Sequence, residues 1–156
     1  MRLADVLDEE NIIADLKAVD KRELLDEMVT DLVGKVAGLN RERLIEALLE
    51  REKLGSTGIG HGVAIPHGKV KGLEEISVSF GRSRSGVDFN STDDRPVYLF
   101  FLILAPENSA AAHLKVLAII SQMLKSQEFR NRLRAAPGAH EIYKLIMDAA
   151  RRSGPV

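Results

Sequence analysis

The chain has 156 residues, 45% of them apolar and 29% charged, the composition of a globular protein long enough to bury about two-thirds of its unfolded surface. With 22 basic against 23 acidic side chains the formal net charge is −1, so nothing electrostatic draws it toward nucleic acid or an anionic membrane. Cysteine is absent, which excludes disulfides, thiolate nucleophiles and cysteine-bound zinc. The first ten residues turn acidic at once and carry no apolar signal core. The longest apolar run, Val97 to Ala105, falls far short of the roughly 20 residues that span a bilayer. These features predict one cytoplasmic domain over residues 1–150, followed by a loose tail, 151–156.

Glu10 to Lys17 reads as a short edge strand. Asp20, with Glu23 three residues on, opens a helix as a capping box. Leu24, Leu25, Met28, Leu32 and Val36 give that helix its apolar stripe, and Gly38 ends it. Asn40 caps a second helix, buried through Leu44, Ile45, Leu48 and Leu49 and stopped by Gly55. Val63 to Pro66 predicts a short strand, which the proline places at an edge or ends. Ile76 to Phe80 alternates as a half-buried strand, and residues 86–96 are polar and turn-rich. Val97 to Leu104 lacks polar alternation, as a central strand covered on both faces would. A long helix begins near Asn108 or Ser109, and two shorter ones cover Gln127–Ala135 and Ala139–Ala150. Helices on both sides of the strands predict a three-layer α/β/α sandwich around a mixed sheet.

The densest segment is Gly55-Ser-Thr-Gly-Ile-Gly-His-Gly-Val-Ala-Ile-Pro-His-Gly-Lys69. It matches neither standard nucleotide fingerprint. Gly62 precedes Gly68-Lys69 by five residues instead of four, Val70 replaces the magnesium-binding hydroxyl, and Val63 stands where Gly58-Ile-Gly60 needs another glycine. Its amides are nonetheless suited to an anionic group, with Ser56, Thr57, Gly68 and Lys69 as candidate phosphate contacts. Ser56 and Thr57 also read as plain turn residues. Zinc would require His61, His67 and His113 to converge, and His140-Glu141-Ile-Tyr-Lys144 puts lysine where a zincin helix has its second histidine. No metal and no cofactor is expected.

His67 follows a proline that biases Ile65 to extended backbone, and precedes a glycine and a lysine. An exposed neutral imidazole beside positive charge is equipped to attack an anionic group and then hold it. His113 lies near a helix start, where the dipole disfavours the imidazolium, so a neutral hydrogen-bonding role suits it. Arg51 directly precedes the glycine-rich segment and can face a phosphate.

Arg51-Glu-Lys-Leu-Gly-Ser-Thr-Gly-Ile-Gly60 with Gly62-Val-Ala-Ile-Pro-His-Gly-Lys69 resembles the active-site motif of phosphotransferase-system enzyme IIA domains of the fructose/mannitol type. The stand-alone nitrogen-regulatory IIA proteins are the nearest likeness. His113-Leu-Lys-Val-Leu-Ala118 resembles that family's histidine-bearing helix, and the likeness runs from about Leu3 to Ala149. It implies that His67 takes a phosphoryl group from an HPr-like phosphocarrier, that His113 assists and that Arg51 balances charge. It also implies the α/β/α fold. His61 departs from the family, which often has a small amide there, and an imidazole at the rim would alter partner choice or pH response. Three roles follow: a regulatory IIA with target proteins, a IIA feeding a IIB component of a sugar transporter, or a docking module of the same fold without phosphotransfer.

Overall fold

The computed structural model describes residues 2–152. The sheet is built around the strand with no polar alternation, Val97–Pro106 (β6), because a strand apolar on both faces is stable only when both are covered. The other strands are Ile12–Ile13 (β1), Gly58–Gly60 (β2), Val63–Ala64 (β3), His67–Val70 (β4) and Ser77–Val87 (β5). The order is β1-β5-β6-β3-β2, with β4 also pairing β6. β5 runs antiparallel to β6, whereas β3 and β4 run parallel to it, so the sheet is mixed. Helices Lys21–Val33 (α1) and Arg41–Lys53 (α2) cover one face, packing on Phe100, Leu102 and Leu104. Helices Ala110–Met123 (α3), Gln127–Ala135 (α4) and Ala139–Arg152 (α5) cover the other, packing on Leu99, Phe101 and Ile103. The two residue sets alternate along β6, as a pleat requires. This is the expected α/β/α sandwich.

Several boundaries differ from expectation. Only Ile12 and Ile13 of the first segment join the sheet, at its edge and parallel to Phe80 and Gly81, because a 3-10 turn, Glu9–Asn11, occupies what precedes them. Asp20 caps α1 by accepting from the Glu23 amide, but the Glu23 carboxylate reaches back to the Val19 N–H, one residue beyond the N-cap amide that a reciprocal box uses. α1 ends at Val33: Lys35 N–H bonds Leu32 O three residues back, and Gly38 at φ +83° then turns the chain. β5 runs through Val87 and is buried on both faces over most of its length instead of alternating, since β1, α1 and α4 enclose it. α5 takes in Arg151 and Arg152; residues 153–156 of the expected tail lie outside the described residues.

As expected, the strand through Val63 stops before Pro66 and its line becomes an edge there: β3 lies between β6 and β2, whereas β4 pairs with β6 alone among the described residues. Val63 and Ala64 pair with Leu99 and Phe100, and the same register resumes at His67 opposite Ile103. Pro66 has no N–H to give the ladder, so pairing lapses for two residues and then continues. Its carbonyl still accepts from Ile103 N–H at 3.0 Å. That gap is where His67 is set.

Candidate functional site

His67 is held by its own strand gap. Ile65, extended ahead of the proline, aims its carbonyl at His67 Nδ1, 2.8 Å away. A carbonyl only accepts, so Nδ1 carries the ring proton and Nε2 keeps a free lone pair. The ring is partly exposed. Gly68 lies under α2, where an added Cβ would touch Leu48 Cδ2 at 3.4 Å. The glycine therefore lets β4 and α2 close together beside the imidazole.

α3 brings His113 to the same place. The two imidazoles meet edge to face, ring centroids 5.3 Å apart and planes at 75°. His113 is 7% exposed, and its Nε2 is buried without a hydrogen-bond partner. Burial, reinforced by His67 and then Lys69, pulls its pKa below the usual histidine value, so the ring stays neutral near pH 7. The dominant cause is desolvation. A buried donor or acceptor without a partner is costly in a folded protein, and this one lies beside a partly exposed histidine. Lys69 is exposed, its charge within reach of the pair.

The remaining candidates divide. Arg51, half-buried in the last turn of α2, donates from Nη1 to Gly55 O at 3.0 Å, which ties the helix end to the glycine-rich segment. Its other guanidinium donors make no hydrogen bond among the described residues. Ser56 Oγ accepts from Gly58 N–H at 3.0 Å and donates to Phe89 O at 3.4 Å, a turn arrangement. Thr57 turns inward: it is 4% exposed, and both its hydroxyl and its N–H donate to Glu52. Its side chain is thereby committed to the interior, against the expectation of a phosphate contact. Gly58 permits the close approach this turn needs, because a Cβ there would lie 3.0 Å from Ser91 Cα.

His61 is not at the rim of the pair. It sits in a left-handed turn (φ +57°) between β2 and β3, in a groove with Asp93, Arg95, Tyr98 and Arg134. Gly62 O bonds the amides of Tyr98 and Leu99, whereas His67 is level with Ile103, about 13 Å along the strand line. His140 is remote as well, its Nδ1 3.0 Å from Glu9. Among the described residues no three groups of metal-binding type converge, and no helix is long and apolar enough to cross a membrane.

One contributor was not anticipated. Glu52 lies in Glu50-Arg-Glu-Lys53, which reads as the solvated end of a helix, yet it is 7% exposed and bonded on every side. Its position one turn beyond Leu48, on the buried stripe of α2, was the available signal.

Residues 5–149 match the family described as phosphoenolpyruvate-dependent sugar phosphotransferase system, EIIA 2. A nitrogen regulatory protein of Bradyrhizobium diazoefficiens is 42% identical over 94% of this chain and 95% of its own length. The fructose-specific EIIABC component of Bacillus subtilis is 37% identical over 94% of this chain, which spans only 23% of that longer protein. Among solved structures, that of the nitrogen regulatory protein IIA-Ntr from Neisseria meningitidis superposes with a TM-score of 0.86 at 34% identity, covering 92% of this chain and 98% of the other.

Proposed function

The chain belongs to the EIIA 2 family of the sugar phosphotransferase system, and we propose that it is a cytoplasmic histidine phosphocarrier loaded at His67 by a phosphorylated HPr-like protein. The observation that carries this reading is the pairing of His67, its Nδ1 proton held by Ile65 O, with His113, whose buried Nε2 lacks a partner. In the transfer, the Nε2 lone pair of His67 attacks phosphorus in line. The donor's N–P bond breaks, and its electron pair stays on the donor imidazole. As the new Nε2–P bond forms, the His67 ring gains positive character, which strengthens the Nδ1–H bond to the Ile65 carbonyl. A phosphoryl oxygen satisfies the His113 nitrogen, Lys69 faces the new charge, and Arg51 has donors to spare for it. The donor is already an activated phosphoramidate, so positioning and charge supply the catalysis.

The loaded state adds about −1.5 to −2 charges close to exposed apolar side chains: Leu114, 67% exposed, directly follows His113, and Leu54, 85% exposed, comes three residues after Arg51. Such a change of charge on a partly apolar surface alters what it binds, which suits a regulatory role of the nitrogen type. A second reading, a IIA subunit that hands phosphate to a IIB component, draws on the likeness to the fructose-specific EIIABC component.

Incubation with enzyme I, HPr and labelled phosphoenolpyruvate tests both. Label is expected on the wild type and absent from His67→Ala. With His113→Ala, labelling slows by about 10- to 100-fold while the protein stays folded. Passage of the label to a IIB protein favours transport over regulation. No label on the wild type leaves a docking module.

A further inference from the structure

Glu52 is a buried carboxylate that takes no direct part in the transfer just described, and its hydrogen bonds lead straight to His67. It accepts from Thr57 N–H at 3.2 Å and from the Thr57 hydroxyl, and Lys21 Nζ lies 2.9 Å away. Thr57 O in turn accepts from Ile65 N–H at 3.0 Å. Ile65 O accepts from His67 Nδ1 at 2.8 Å. Three links therefore join the carboxylate to the phosphoacceptor ring. The far end is anchored too, since Lys21 lies at the start of α1 and its ammonium sits 4.8 Å over the Phe89 ring.

We infer that Glu52, neutralised by Lys21, is a positioning residue that sets the tautomer and orientation of His67 through Thr57 and Ile65. This inference rests on His67 being the phosphoacceptor. Between Gly55 and Gly62 the segment has several glycines and little regular pairing, with β2 only three residues long and its register broken between Gly58 and Gly60. Such backbone has many alternatives, and the charged acceptor at Thr57 selects one of them. Ile65 cannot move without Thr57, and the carbonyl of Ile65 decides which ring nitrogen holds the proton. Reaction at Nε2 requires both the lone pair and its direction, and small errors of placement lower rates steeply. Arg51 and Glu52 thus clamp the segment from adjacent positions of α2, Arg51 at Gly55 and Glu52 at Thr57.

The test pairs Glu52→Gln with Thr57→Val and Thr57→Ser. Gln keeps the shape of Glu52 but offers an NH2 where only acceptors fit, facing Lys21 or Thr57. Two readouts are taken: the ring tautomer of His67 by long-range nitrogen–proton NMR, and the rate of labelling from HPr charged by enzyme I and phosphoenolpyruvate. For Glu52→Gln and Thr57→Val we expect a mixed His67 tautomer and labelling slowed at least 10-fold, in folded protein. Thr57→Ser, which keeps the hydroxyl, restores both. If Glu52→Gln does not fold, the Val and Ser pair at 57 decides by itself. A folded variant with wild-type tautomer and rate overturns the inference, and so does a slowed rate with an unchanged tautomer. Wild-type protein that accepts no label defeats the phosphocarrier reading instead, while the NMR comparison still judges the positioning role.

Discussion

Among the described residues two side chains of charged type, Glu52 and Arg82, are buried, one under each face of the sheet, and their surroundings differ. Glu52, on the α1/α2 side, meets a cation, Lys21, and the donors of a single residue, Thr57. Arg82, on the side of α4, is wholly buried and meets carbonyls: Nε donates to Ala14 O at 2.9 Å, and Nη1 to Leu133 O at 3.0 Å, to Arg134 O and to Ala136 O. Those last three are the carbonyls that α4 leaves unpaired at its C-terminus, where the helix dipole is negative. Arg82 thus fastens the end of α4 to β5 and to the segment after β1. Glu52 fastens the glycine-rich loop that leads to the proposed phosphoacceptor. On the proposed reading, a buried charge held by helix-end carbonyls serves the frame, and one held by loop donors serves the site.

The largest effect expected of this contrast is on stability. Arg82→Met keeps most of the apolar volume and strands the α4 carbonyls, so unfolding in urea should show a loss of about 3–5 kcal/mol. Labelling of the folded variant should match the wild type, because Arg82 contacts neither histidine nor the glycine-rich segment. A transfer rate that fell as far as in Glu52→Gln would break the contrast.

A smaller effect comes from His113, a titratable group on the Arg82 side that is kept uncharged. Its folded pKa lies below the unfolded value of about 6.5, chiefly through burial. Between those two values the unfolded chain binds more protons, so stability rises with pH there. The contribution is complete above the unfolded pKa, and it is lost as pH falls through that value toward the folded one. Urea midpoints measured from pH 8 downward should therefore decline below about 6.5, and less so in His113→Gln. Phosphate on His67 puts an anion beside His113, which favours the imidazolium and should move its NMR titration midpoint upward. A midpoint that did not move would separate His113 from the phosphoryl group.

Features decided by neighbours in the chain were legible in the amino-acid sequence. Asp20 and Asn40 each accept from the amide three residues on, and α4 occupies Gln127–Ala135, because caps and short amphipathic helices depend on a few adjacent residues. The central strand was legible too, since its length without a polar residue admits little else. The polar half of β5 was not. Arg82 is buried because α4, about fifty positions later, delivers its carbonyls there, and Ser79 and Ser83, which alternate with it, are buried under the other face of the sheet. Within the site, the glycine-rich segment and Pro66-His67 stood out by composition. The approach of His113 was implied only by the family likeness, and it depends on how α3 crosses β6. The inward turn of Thr57 was hidden, because an exposed phosphate contact and a buried partner of Glu52 have the same hydroxyl.

The smallest predicted effect tests what neutralises Arg82. Asp15 offers the carboxylate closest to it, 3.9 Å from Nη2, and reads at first as its counter-ion. But Asp15 is two-thirds exposed and hydrogen-bonds Arg84 at 2.8 Å instead, a contact that holds its carboxyl below the usual aspartate pKa. An exposed pair of this kind is screened by water and salt, and contributes little. Asp15→Asn should then leave the urea midpoint almost unmoved, in low salt as in high. Lys21→Met removes the real partner of Glu52 and should lower the midpoint clearly, though less than Arg82→Met does, because the partly exposed edge of that pair admits water. Were Asp15→Asn to destabilise the protein as much as Lys21→Met, the guanidinium would be balanced by a carboxylate after all, and the two buried charges would be neutralised alike.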